Sequence, residues 1–181
     1  MRAFSIALMA GFAALPCLAQ QFGHNDLAPY IPTPQIIVER MLEAGRVKPG
    51  DVVYDLGSGD GRIVITAAQK FGARAVGVEI RPDLCRIARQ RIKALGLEER
   101  VSMIEGNVLH VDLTPATVVT MFLMTGSNER LKPNLEKDLK PGSRVVSNEF
   151  PIKGWKPVEA LVVKTGTMEH TIYVYEMGRT N

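Results

Sequence analysis

The sequence predicts a doubly wound α/β fold: a mostly parallel sheet with helices on both faces and a C-terminal antiparallel edge hairpin. Three observations carry this. Short apolar, strand-like runs alternate with helix-like segments from residue 51 to residue 147. A glycine-rich turn joins the first run to the first helix of that series. The tail then holds two strand-like runs with no helix between them.

Tyr30-Ile31-Pro32-Thr33-Pro34 forbids helix before Pro34, and Thr33 is placed to cap one that starts there. Ile36, Ile37, Met41 and Leu42 follow at helical spacing, and Pro49-Gly50 closes that segment. Asp51 to Leu56 reads as a strand and Arg62 to Phe71 as a helix. Ala73 to Val78 is a second strand. Pro82 to Leu95 is a helix opened by Pro82 and closed by Gly96. Arg100 to Ile104 and Thr117 to Leu123 are further strands, the latter rich in β-branched residues. Asn128 to Leu139 reads as a helix with Pro133 near its start, and Ser143 to Ser147 as a fifth strand. Val158 to Val163 and Thr171 to Tyr175 form the hairpin.

Residues 1–19 read as a leader. Arg2 precedes the uncharged apolar run Ser5 to Leu15, and Cys17-Leu18-Ala19 offers small residues for cleavage before Gln20. The alternative is an uncleaved N-terminal anchor; with either, the charge distribution predicts an exported or membrane-associated protein. Residues 20–28 read as a polar linker and residues 29–181 as one domain. The net charge is +3, and removing Arg2 leaves +2, with basic residues scattered among acids. Such a balance gives no footprint of a nucleic-acid partner. The histidines His24, His110 and His170 show no metal-ligand spacing, so no metal is expected. With Cys17 in the leader, Cys85 stands alone and no intrachain disulfide is expected.

The chemistry-bearing segment is Asp55-Leu56-Gly57-Ser58-Gly59-Asp60-Gly61. Glycines at such a turn let the backbone approach a ligand closely. Arg62 stands where the dinucleotide fingerprint needs its third glycine, and no Lys-Ser or Lys-Thr pair follows as in a P-loop. Asp55, just before the turn, would repel a pyrophosphate but suits a cationic ligand. S-adenosyl-L-methionine, with an ammonium and a sulfonium and no phosphate, fits that requirement. Glu79 ends the second strand about twenty residues on, where a carboxylate can accept from both hydroxyls of a ribose. Asn107 follows the third strand, where its side-chain oxygen could accept from an adenine amino group and its amide donate. The expected cofactor residues are Tyr30, Asp55, Gly57, Ser58, Gly59, Gly61, Glu79, Ile80, Asn107 and Val108.

With these residues in view, the chain resembles class I methyltransferases, whose fold is Rossmann-like. More narrowly it resembles the protein lysine methyltransferases typified by a broad-specificity archaeal enzyme. That group includes the mitochondrial enzymes acting on adenine nucleotide translocase and the ATP synthase c subunit. The matching segments are Pro29 to Pro34, Val53 to Ile65, Ala75 to Ile80, Thr117 to Leu123, and Ser143 to Val158 with Trp155-Lys156-Pro157. The resemblance implies that Tyr30 and its neighbours close the cofactor pocket. It also implies a protein substrate carrying an acceptor lysine; the chain is expected to work as a monomer. Asn107 departs from the acid common there, and Phe122-Leu123-Met124-Thr125 departs from the aromatic or proline residues some members carry. After the fifth strand, Asn148 and Glu149 stand where they could orient an acceptor amine, and Trp155 is a candidate for lining its channel; no catalytic residue is identified. A small-molecule methyltransferase, or a non-catalytic binding module on the same fold, would share the cofactor half.

Overall fold

The computed structural model describes residues 30–180. The leader and linker expected over 1–19 and 20–28 lie outside the described residues. In chain order the elements are α1 (Gln35–Ala44), β1 (Val52–Leu56), α2 (Arg62–Phe71), β2 (Arg74–Glu79), α3 (Pro82–Ala94) and β3 (Val101–Glu105). There follow β4 (Val118–Met121), α4 (Thr125–Asp138), β5 (Arg144–Asn148), β6 (Glu159–Thr165) and β7 (Met168–Glu176). The strands form a seven-stranded sheet in the order β3-β2-β1-β4-β5-β7-β6. The first five are mutually parallel, and β7 runs antiparallel to both β5 and β6.

Side chains alternate across each strand. Val53, Ala75, Val101, Val118, Val146 and Ile172 face α1, α2 and α3. Tyr54, Leu56, Val119, Met121, Val145 and Tyr175 face Leu131 and Leu135 of α4. A sheet covered on both sides needs strands that are apolar at nearly every position, as β1 and β4 are. Strand order reverses between β1 and β4, so the C-terminal ends of these strands open a crevice at that point.

Several local expectations are corrected. Thr33 does not cap α1; Pro34 is the N-cap residue and no side chain caps it. The Thr33 carbonyl instead accepts from Arg62 at 2.7 Å. Ile36 is 53% exposed, whereas Ile37, Met41 and Leu42 are fully buried, so the apolar stripe begins at Ile37. β4 stops at Met121, and Phe122 leaves the sheet to stack on Phe150 at 6.1 Å between ring centroids. Helix α4 starts a turn earlier than expected, placing Pro133 inside it. The break this makes in the backbone ladder falls on the exposed side of the helix, at Pro133 and Glu129. No α-helix links β3 to β4, only a single 3-10 turn at Val108–His110. The edge hairpin is longer than its apolar residues suggest, because Lys164, Thr165, Glu169 and His170 continue its ladder. Among the described residues no helix is long and apolar enough to cross a membrane.

Candidate active site

The glycine turn is built by β1 overrunning its neighbour. The N–H groups of Gly57 and Ser58 both donate to the Val78 carbonyl of β2 at 2.9 Å. This folds the chain back over the C-terminal end of β2 and into α2. Gly59 has φ 55, and a Cβ there would lie 2.5 Å from Cε2 of Tyr30. Backbone and ring therefore meet face to face only because residue 59 has no side chain. Beneath the turn, a Cβ on Gly77 would lie 2.5 Å from both Ser58 Oγ and Met103 Sδ. Gly77 thus makes room for the Ser58 side chain, a role that an isolated strand glycine does not announce in sequence.

Asp55 points from β1 to the face covered by α1 and α2, and only 2% of it is exposed. Its strand neighbour Thr120 on β4 donates to Oδ1 at 2.8 Å. Burial pushes the carboxyl from 3.8 to about 6. The hydroxyls of Thr120 and Ser58 oppose this, and the negative charges of Glu79 and Asp60 add to it. Ser58 Oγ lies alongside without a well-aligned hydrogen bond and is itself buried. A buried carboxylate beside further acids, with a spare hydroxyl next to it, is a receptor for a cation.

Glu79 is not a solvated strand end. It is 6% exposed, and each oxygen already accepts one backbone bond: Oε2 from Gly59 N at 2.8 Å and Oε1 from Arg81 N at 2.9 Å. The carboxylate is thereby fixed in orientation, with a second lone pair on each oxygen. Two oxygens held at the end of β2, the strand next to that of Asp55, match the vicinal hydroxyls of a ribose. The residues present therefore fit S-adenosylmethionine: Asp55 toward its cationic portion, Glu79 toward its ribose, Tyr30 over the turn.

Arg62 and Asp60 fasten this arrangement. Arg62 donates twice to Asp60, at 2.9 and 2.8 Å, and once to the Thr33 carbonyl. Arg91 of α3 reaches the Asp60 carboxylate at 2.6 Å and its carbonyl at 2.9 Å. Both guanidinium groups hold the Asp60 carboxyl below its ordinary value against the opposing effect of burial. The result ties the Tyr30 to Pro34 segment, the turn and α3 into one unit. Neither arginine reads in sequence as a partner of Asp60, which looks like a turn residue.

Asn107 also has a backbone role. Its Oδ1 accepts from Leu109 N at 2.9 Å and caps the 3-10 turn. That oxygen, like those of Glu79, keeps a second lone pair, so a contact to adenine stays open through it or through the amide N–H. Val108 is buried and Ile80 half-buried, at the ends of β3 and β2. Cys85 is buried beneath Glu79, its thiol pushed up to about 11 by burial.

The end of β5 carries a second group. Asn148 is fully buried, and both polar atoms of its carboxamide lack a hydrogen-bond partner. It lies on the same sheet face as Val146 and Asp55, two strands from β1, which is roughly 10 Å at the usual strand spacing. Glu149 follows in the left-handed region with φ 65. Its Oε1 is 2.7 Å from His170 Nδ1, and the other ring nitrogen lies 3.1 Å from Thr165 Oγ1. No spacing in the sequence links Glu149 to His170, which comes from the edge hairpin twenty-one residues later. Trp155 packs against the fold. It is buried under α4, edge-on to Tyr175 at 5.6 Å, and its indole donates to Glu136.

Fold and site together define an S-adenosylmethionine-dependent methyltransferase. Residues 55–159 match the family model described as the ANTKMT methyltransferase domain. A protein-lysine N-methyltransferase of Saccharolobus islandicus (strain REY15A) is 55% identical over 151 residues, covering 83% of this chain and 94% of that one. The adenine nucleotide translocase lysine N-methyltransferase of Mus musculus is 35% identical, covering 91% of this chain and 67% of its own. A crystal structure described as an RNA methyltransferase from Salinibacter ruber, in complex with S-adenosyl-L-homocysteine, is 44% identical. It superposes with a TM-score of 0.76, covering 81% of this chain and 94% of that one. The chain belongs to the ANTKMT methyltransferase family.

Proposed function

We propose that the chain transfers a methyl group from S-adenosylmethionine to the side-chain nitrogen of a lysine in a protein. The observation that carries this is the 55% identity, over 94% of its length, to a protein-lysine N-methyltransferase. The site supports it: Asp55, Glu79 and the glycine turn have the chemistry to hold the cofactor, and Asn148 and Glu149 stand at the neighbouring strand end to orient an amine. The cofactor supplies an electrophilic methyl on a good leaving group. What remains for the chain is to position the acceptor and exclude water. A lysine, with an unperturbed pKa of about 10.4, must also be neutral to attack. An apolar lip, here Phe122, Leu123 and Phe150, favours the uncharged amine without any strong base.

The Salinibacter structure, described as an RNA methyltransferase, favours a second reading in which the acceptor is RNA. Two features weigh against it. After β4 the chain runs Phe122-Leu123-Met124-Thr125, without the acid or amide, two prolines and aromatic residue of nucleic-acid amino-methyltransferases. Many of its arginines are also paired with acids, as in Arg62 and Arg91 on Asp60 and Arg144 on Asp51. We further propose that residues 1–19 direct the protein to or across a membrane, that it works there as a monomer, and that its protein substrate is membrane-associated. The test is incubation of the purified protein with labelled cofactor and a cell-envelope extract, followed by fractionation. Label in protein supports the proposal; label confined to RNA or to small metabolites overturns it in favour of the corresponding reading.

A further inference from the structure

We propose that His170 is a positioning residue for the acceptor site: by holding Glu149 it keeps the end of β5 in the one conformation that presents the Asn148 carboxamide to the incoming amine. The inference rests on the amine-transfer reading and adds to it a residue from the edge hairpin.

Three independent features converge on residues 148 and 149. The Asn148 carboxamide is fully buried with its oxygen and its nitrogen both unpartnered. Folding alone does not favour such a group, since apolar side chains of similar size would fill the space without unmade hydrogen bonds. Glu149 then adopts φ 65, a conformation that costs any residue but glycine. The strained residue is pinned at both of its ends. Its N–H donates to the Thr171 carbonyl at 2.7 Å, and its carboxylate lies 2.7 Å from His170 Nδ1. His170 is in turn steadied by Thr165 Oγ1 at 3.1 Å, so the restraint spans β5, β7 and β6.

Strain and an unmade pair of hydrogen bonds at adjacent residues are the mark of a site held ready for a ligand. The ligand's chemistry follows from the donor set. A carboxamide oxygen accepts an N–H and a carboxamide nitrogen donates, while the next residue's carboxylate is turned away to the His170 ring. A neutral primary amine can donate an N–H to the carboxamide oxygen and keep its lone pair for the methyl group. Without His170, the Glu149 carboxylate keeps only the long contact from the Thr171 N–H at 3.5 Å, residue 149 relaxes toward the ordinary backbone regions, and Asn148 turns with it.

The decisive variants are Glu149→Gly, His170→Leu and His170→Asn, assayed against the acceptor that the wild-type protein labels, together with thermal unfolding and cofactor calorimetry. Glu149→Gly should melt no lower than wild type, because glycine accepts the left-handed backbone. With no side chain to anchor, residue 149 is allowed φ 65 but no longer confined to it, so the variant should keep cofactor affinity yet lower kcat by about tenfold or more, the scale of one lost hydrogen bond in the transition state. His170→Leu should do the same, and His170→Asn, whose amide can still donate to Glu149, should recover part of the loss. Wild-type kcat and KM in Glu149→Gly would overturn the inference even if His170→Leu failed to fold. Failure of the lysine reading itself would appear earlier and elsewhere, as label on another acceptor in the wild-type protein.

Discussion

Replacing Asp55 by asparagine separates what the site costs the fold from what it contributes to binding. The carboxyl is pushed from 3.8 to about 6 by burial. At neutral pH its ionised form therefore destabilises the empty protein by about 3 kcal/mol relative to an unshifted acid. The protonated form is favoured in the fold, so Asp55's contribution is fully present below pH 3.8 and is lost as pH rises through 6. Asparagine keeps the acceptor that Thr120 uses and carries no charge. Allowing for the weaker neutral bond, Asp55→Asn should stabilise the empty protein at pH 7.5 by about 2 kcal/mol, at roughly 2–4 °C per kcal/mol for a chain of this size. The same change should weaken S-adenosylmethionine by about ten- to a hundredfold, since hydrogen bonds to charged groups contribute about 1.5–3 kcal/mol. Wild-type affinity should be level above about pH 7 and fall below about pH 6, where the free carboxyl takes up its proton. Thermal unfolding at pH 5 and 7.5 with calorimetry at both values measures all of this. A variant that melts lower than wild type at pH 7.5, or binds the cofactor equally well, would refute the reasoning.

The remaining predictions concern the ribose contact, the turn and the leader. Glu79→Ala should lower cofactor affinity at least about tenfold, and NAD should not bind either protein; unchanged affinity in a folded variant would leave Glu79 only its backbone role with Gly59 and Arg81. Gly59→Ala, which adds a Cβ 2.5 Å from the Tyr30 ring at a left-handed φ, should displace Tyr30 and reduce stability by about 1 kcal/mol or more; fluorescence and melting that match wild type would contradict this. N-terminal sequencing of the mature protein should begin at Gln20, and a soluble product retaining Met1 would contradict the leader.

The sheet, its helices and the edge hairpin were legible because buried parallel strands are continuously apolar and glycine or proline marks most of their ends. Legibility ended where polar residues do structural work. Lys164 to His170 carry the hairpin without an apolar signal, and α4 begins in the polar stretch Thr125 to Asn128, whose N-terminus no side-chain cap announces. The cofactor half of the site was likewise readable, since Asp55 to Gly61 and Glu79 are close in sequence and tied to strand ends. Its fastening was not: Arg62 and Arg91 converge on Asp60 only once two helices are packed. The His170 partner of Glu149 required the antiparallel register of β7 on β5, which no spacing in the sequence reveals.

The most direct test of the account is tandem mass spectrometry on the protein that gains label from S-adenosylmethionine, comparing wild type with Glu79→Ala as the cofactor-weakened control. The account predicts methyl groups on a lysine side-chain nitrogen, with the rate climbing from neutral to alkaline pH until the bound amine is neutral, and little or no product from the control. Methyl groups on a carboxylate, a nucleobase or a small metabolite alone would contradict it.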